Sequence, residues 1–173
     1  NDPDTGFYAL GLRSSIADPV LVLRGTDFTS WPDWLSNTDP PGVGYSQFEA
    51  KREDVLDWIS TDEDVKDKQI NIVGHSLGGA LAQWFAAEVT DRERNIGEVV
   101  TFNSPGIAAT GSGLLTDAGK FVASLAQGVT HYIVNGDPVS LFGEQFLAGN
   151  FVTVEFSDPD WIDFEKHTLP ILT

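Results

Sequence analysis

The chain of 173 residues contains no cysteine. That removes disulfides, thiolate metal ligands and cysteine nucleophiles together. Bases are scarce as well: 10 Lys and Arg stand against 26 Asp and Glu, a formal net charge of −16. Such a surface repels polyanions at long range, which argues against nucleic-acid partners and against tight docking on anionic bilayers. No apolar run approaches the length of about eighteen residues that a membrane span needs, so no integral membrane segment is expected. There are only three histidines, His75, His131 and His167. The chain shows no repeat, low-complexity tract or linker, and its length suits one domain over 1–173. It opens at Asn1 with no signal pattern, as expected of a mature or excised product. Asp2-Pro-Asp-Thr-Gly6 has the look of a calcium loop but lacks its ligand spacing and closing Glu, so a surface turn and no metal site are expected.

What is present is an ordinary globular balance, 41% hydrophobic. Short apolar runs at 7–12 and Val20–Leu23 read as strands. Residues 27–44 hold prolines, tryptophans and many small polar residues, which predicts a long loop. Ser46-Gln-Phe-Glu49 fits a capping box, and Phe48, Val55, Leu56 and Ile59 share one face of the helix that follows. Ile70–Val73, 98–102, His131–Val134 and 151–156 read as further strands. Residues 77–89, almost free of charge, predict a helix buried on most sides, and 118–126 predict another. Strands alternating with helices point to an α/β fold with a mainly parallel sheet. In such folds the loops at the carboxyl ends of the strands build the site.

One corner stands out. Gly74-His-Ser-Leu-Gly78 matches G-x-S-x-G, with a strand before it and a helix after it. A serine hydroxyl attacks an acyl carbon only when it stands proud of the backbone and a base can take its proton. A tight strand-to-helix turn exposes it, at the cost of backbone strain. The free N–H groups at the start of the helix, Leu77 first, face any oxyanion formed there. The bland alternative is a glycine-rich turn that merely packs tightly.

A base and an orienting acid must come from elsewhere. In this motif's context the order is Ser, acid, His. His75 lies inside the motif and His131 opens a strand ahead of the expected acid. That leaves His167 as the base, with a simple tail histidine as the alternative. Asp137, in Gly136-Asp-Pro138 just past a strand, is placed to orient the imidazole. Asp before Pro is also a common turn starter, and Asp158, Asp160 and Asp163 also precede His167.

Arg24-Gly-Thr26, Asp33-Trp-Leu35, the serine motif with Gly79-Ala-Leu81, Phe102-Asn-Ser-Pro-Gly106 and Asn135-Gly-Asp-Pro-Val139 together resemble the class 3 lipases, the family of the fungal triacylglycerol lipases. The resemblance runs from about Phe7 to His167. It implies an α/β-hydrolase fold and a carboxylic ester hydrolase needing no cofactor. It also implies Ser76 as nucleophile, Asp137 as acid, His167 as base, and Thr26 with the Leu77 N–H as oxyanion hole. A secreted, extracellular setting follows from the family alone. The chain departs from the pattern in being short and in lacking disulfides.

The natural ester is open at this level. Trp31 follows the oxyanion threonine, where the fungal enzymes carry a lid, and is a candidate contact for an acyl chain or a lipid–water interface; Trp34 and Leu35 read better as packing under that loop. Phe142 and Phe146 beyond Asp137 are candidates for an acyl pocket. Phospholipase A1, feruloyl esterase and acyltransferase activities would use the same triad. A catalytically silent hydrolase-fold binding module is the alternative of another class.

Overall fold

A computed structural model describes residue 2 and residues 6–25, 42–92, 95–107, 128–143 and 145–155. Thr26, Trp31, Trp34, Leu35, His167 and the helix expected at 118–126 lie outside the described residues.

Six strands form one sheet in chain order: β1 Ala9–Leu12, β2 Val20–Leu23, β3 Ile70–His75, β4 Ile96–Phe102, β5 Val129–Val134 and β6 Asn150–Val154. β1 runs antiparallel to β2, and every later pairing is parallel. Among the described residues two helices intervene, α1 Tyr45–Thr61 between β2 and β3 and α2 Leu77–Asp91 between β3 and β4. This is the mainly parallel α/β architecture that the alternation predicts.

The order explains where the helices go. A parallel crossover is almost always right-handed, so connections that step in one direction across a sheet land on one face. Both α1 and α2 belong to such steps, and they pack on each other: the rings of Phe48 in α1 and Phe85 in α2 are 5.0 Å apart. Beneath them Leu21, Leu23, Ile70, Ile72, Val99 and Val129 are fully buried. The other face is less covered. His75, Phe102 and Tyr132, paired in register across β3, β4 and β5, are only half-buried.

α1 buries Phe48, Val55, Leu56 and Ile59, the face its spacing predicts. Its start differs from expectation. The helix begins at Tyr45, and the position before it is Gly44, with φ of 77° and no side-chain cap bond, so Ser46 is not the cap of a capping box. Gly44 is needed because its positive φ suits glycine and a Cβ there would lie 3.1 Å from Leu77 Cδ1. α2 is buried on most sides, as its apolar run predicts, with Leu81, Phe85 and Val89 wholly inside. Burying such side chains contributes about 1.5–3 kcal/mol each. The Trp84 indole N–H finds an acceptor in Val43 O at 2.8 Å.

Candidate active site

Because β2 to β6 are parallel, their carboxyl ends share one edge of the sheet. Ser76 follows β3 directly, Asn103 and Ser104 follow β4, and the turn holding Asp137 follows β5.

Ser76 is the corner itself. Its φ of 58° and ψ of −130° are neither helical nor extended. A non-glycine residue there stores about 1–3 kcal/mol of strain and persists only where its surroundings hold it. They do. The Ser76 N–H donates to Phe102 O at 3.0 Å, and its C=O accepts from Gly79 N–H at 2.8 Å and Ala80 N–H at 3.3 Å. The flanking glycines serve close approach. A Cβ on Gly74 would lie 2.0 Å from Gly78 O, one on Gly78 2.2 Å from Leu23 O, and one on Gly79 2.5 Å from Ser104 Cβ. Among the described residues, Ser76 Oγ is the buried side-chain polar atom left with no hydrogen-bond partner. An unpaired buried hydroxyl costs about 1–3 kcal/mol.

The oxyanion candidates divide. α2 starts at Leu77, so the N–H groups of Leu77 and Gly78 have no intrahelical acceptor and form the positive end of the helix dipole. Thr26 is not described, but Gly25 before it is pressed against the corner: a Cβ there would stand 2.8 Å from Ser76 Cβ and 2.9 Å from His75 O.

Asp137 is buried on the same edge, two strands away. Neighbouring strands lie about 4.8 Å apart, so the β3 and β5 ends are separated by about 10 Å, a gap one imidazole with a hydrogen bond at each end can bridge. Asp137 Oδ1 accepts the Val139 N–H at 2.8 Å, and the Asp137 N–H donates to Val134 O at 3.1 Å. Ser140 Oγ donates to Asp137 O at 2.9 Å. The aspartate is thus both a turn former and a fixed carboxylate. Between the two loops, Asn103 at φ of 46° accepts the Val134 N–H on its Oδ1 at 2.9 Å.

The two other histidines have structural surroundings. His75 is half-buried on the sheet face away from the helices. His131 is wholly buried, with Nδ1 2.7 Å from Thr101 Oγ1 and Nε2 2.8 Å from Leu147 O. A carbonyl accepts only, so Nε2 carries the proton and Nδ1 accepts from the Thr101 hydroxyl. Burial holds this imidazole below its ordinary value of 6.5, with the Leu147 bond opposing the shift.

The expected acyl-pocket residues separate. Phe142 ends the short 3₁₀ turn Val139–Leu141 and is half-buried. Phe146 packs its ring edge-on against His131 and Phe151, at centroid distances of 5.3 Å to each. Leu141, beside Phe142, is 71% exposed. Among the described residues no group of three or more acids or histidines could hold a metal ion, and no helix is long and apolar enough to cross a membrane.

Gln83 is a site-side residue that sequence reasoning did not single out, while Asn103 and Ser104 entered it only within the run 102–106 and with no role of their own. For Gln83 the available signal was a glutamine among the apolar residues 80–87 of α2.

The comparisons agree with this fold. A fungal lipase crystal structure superposes with a TM-score of 0.62 at 19% identity, covering 81% of this chain and 54% of that one. Lip2 lipase from Yarrowia lipolytica gives 0.56 at 17% identity, over 87% and 67%. The triacylglyceride lipase of Rhizomucor miehei gives 0.55 at 18% identity, over 78% and 55%. The chain therefore has the α/β-hydrolase fold, and it spans about half the length of the first of these relatives. A search of curated proteins found no match. The family model described as phospholipase-like, Tle-like phospholipase domain, matches residues 1–156, and the chain belongs to that family.

Proposed function

We propose that the protein is a serine hydrolase of lipid carboxylic esters, with zwitterionic phospholipid as its first substrate class and triacylglycerol as the second. Ser76 carries the proposal: it is a strained residue at a strand-to-helix corner, with a buried, unpartnered hydroxyl beside helix-start N–H groups that have no intrahelical acceptor. Packing alone does not favour that combination, because an unpaired buried hydroxyl and a positive φ both cost stability.

His167 removes the Ser76 proton as Oγ attacks the ester carbonyl. Asp137 holds the imidazole and stabilises its charged form. The Leu77 N–H and Thr26 bind the oxyanion, each such donor contributing about 3 kcal/mol. His167 then protonates the leaving alcohol, and water releases the acyl group from Ser76. Trp31 and Phe142 meet the acyl chain.

Membership of a phospholipase-like family favours phospholipid, while the similar fungal proteins are lipases, one of them a triacylglyceride lipase. A net charge of −16 disfavours anionic surfaces, which leaves phosphatidylcholine-type head groups as the better match. The test is a fluorophosphonate probe. Labelling of the wild type and its loss in Ser76→Ala support a live nucleophile; an unlabelled, folded wild type identifies a silent hydrolase-fold module instead. Turnover of phosphatidylcholine micelles against a triacylglycerol emulsion then ranks the two substrate classes.

A further inference from the structure

We infer that Gln83 is a positioning residue that keeps the serine corner in register with the loop carrying Asp137, acting jointly with His131 on one residue, Leu147. The inference rests on the hydrolase reading of Ser76 and Asp137.

Gln83 is fully buried in α2, seven residues past the corner. Its Oε1 accepts the Leu147 N–H at 2.9 Å. Its amide nitrogen donates to Ser104 Oγ at 2.9 Å and to Pro105 O at 3.0 Å, with Gly79 O at 3.4 Å. One side chain therefore touches three segments of the carboxyl edge: the turn starting at Ser76, the loop after β4, and the end of the loop that begins at Asp137. The carbonyl of the same residue is held as well: His131 Nε2–H donates to Leu147 O at 2.8 Å. An apolar side chain of this volume would fill the space equally well, and burying an amide is costly unless each of its groups is paired. Its contacts account for its presence.

The arrangement matters because Ser76 and Asp137 stand on different strands with β4 between them. Nothing covalent near the site sets their separation. A triad tolerates little error: a misplacement of about 1 Å costs about 100-fold in rate. Removing the Gln83 amide leaves the Leu147 N–H and the Pro105 carbonyl to relax separately. The loop does not come loose, because Gly106 N–H still donates to Phe142 O at 2.8 Å and Ile107 N–H to Gln145 O at 2.7 Å. The expected consequence is a shifted loop in a folded protein.

The experiment is the rate of fluorophosphonate labelling of the full chain, well below the melting temperature. Gln83→Met should label about tenfold more slowly than wild type, and the loss in ester turnover should fall on kcat with KM little changed. Val89→Ala, a cavity in the same helix far from the edge, should destabilise comparably and label at the wild-type rate. Gln83→Glu supplies a second readout if the Met variant does not fold. A protonated carboxyl replaces the amide donor and an ionised one does not, so its labelling rate relative to wild type should rise as pH falls. Folded Gln83→Met labelling at the wild-type rate, or a flat Gln83→Glu ratio, overturns the inference while leaving the hydrolase reading intact. A wild type that never labels overturns both.

Discussion

Gly25 and Ser76 touch so closely that a methyl group on the glycine would lie 2.8 Å from the serine Cβ and 3.3 Å from its Oγ. The end of β2 is therefore one wall of the corner. Gly25→Ala must push either β2 or the serine outward by a few tenths of an ångström. Overpacking of this kind costs about 1–3 kcal/mol of stability. The larger effect is on chemistry, since the displaced atom is the nucleophile. Labelling by a fluorophosphonate should slow by at least about tenfold in Gly25→Ala. An unchanged labelling rate in the folded variant would show that the wall does not set the position of Oγ.

The corner is also a place where function and stability oppose each other. Ser76 precedes α2 but makes no side-chain cap bond, so replacing its hydroxyl removes no capping interaction. Ser76→Gly relieves the positive φ, worth about 1–3 kcal/mol, against a backbone-entropy cost of about 0.5–1 kcal/mol. The variant should be inactive and more stable by about 1 kcal/mol, a melting-temperature gain of about 3 °C for a chain of this size. Ser76→Ala keeps the backbone strain and should gain less. A Ser76→Gly variant that melts below wild type would mean the corner is not strained in solution.

Much of this was legible in the sequence because local rules and the global fold agree. Val20–Leu23 is a strand with the bounds its apolar run predicts, and Leu77 begins a helix whose buried character follows from its lack of charge. The serine motif was readable because its glycines answer to backbone collisions that any such corner has. The start of α1 was not, because Ser46 and Glu49 satisfy a local capping pattern while the packing of Gly44 against Leu77 decides the boundary. Gln83 was missed for a related reason. Its partners are at Ser104, Pro105 and Leu147, distant in sequence, and no periodicity carries that information. Phe142 and Phe146 read as one apolar loop, but the fold turns Phe146 onto His131 and Phe151.

His131 gives the fold a pH dependence whose sign can be worked out. Its imidazole is pushed below 6.5 by burial, so the unfolded chain binds the proton more readily than the folded one. Stability from this group is fully present above 6.5 and is lost as pH falls through 6.5 toward the lower folded value. Protonation would also turn Nδ1 into a donor facing Thr101, which must then rotate its hydroxyl away. Many carboxylates titrate below this range, so the comparison has to be differential. His131→Gln retains a donor and an acceptor without titrating. The stability difference between wild type and His131→Gln should shrink between pH 7.5 and 5.5. A constant difference across that interval would place the wild-type acid sensitivity elsewhere.

Leu141 offers a test of contact with aggregated lipid. It is 71% exposed on the short turn that follows Asp137, next to Phe142, where a monomeric globular protein gains nothing from an apolar side chain. Burying a leucine in an apolar phase contributes about 1.5–3 kcal/mol, and about 1.4 kcal/mol is a factor of ten in partitioning. Leu141→Ser should thus weaken turnover of phosphatidylcholine micelles about tenfold and leave a soluble short-chain ester unaffected. Folding should be untouched, since the side chain packs on little. Trp31→Ala should separate the same two substrates by chain length, hurting long acyl esters more than short ones. If Leu141→Ser loses equally on both substrates, the leucine supports the Asp137 turn itself. If it loses on neither, the lipid surface approaches the carboxyl edge from another side.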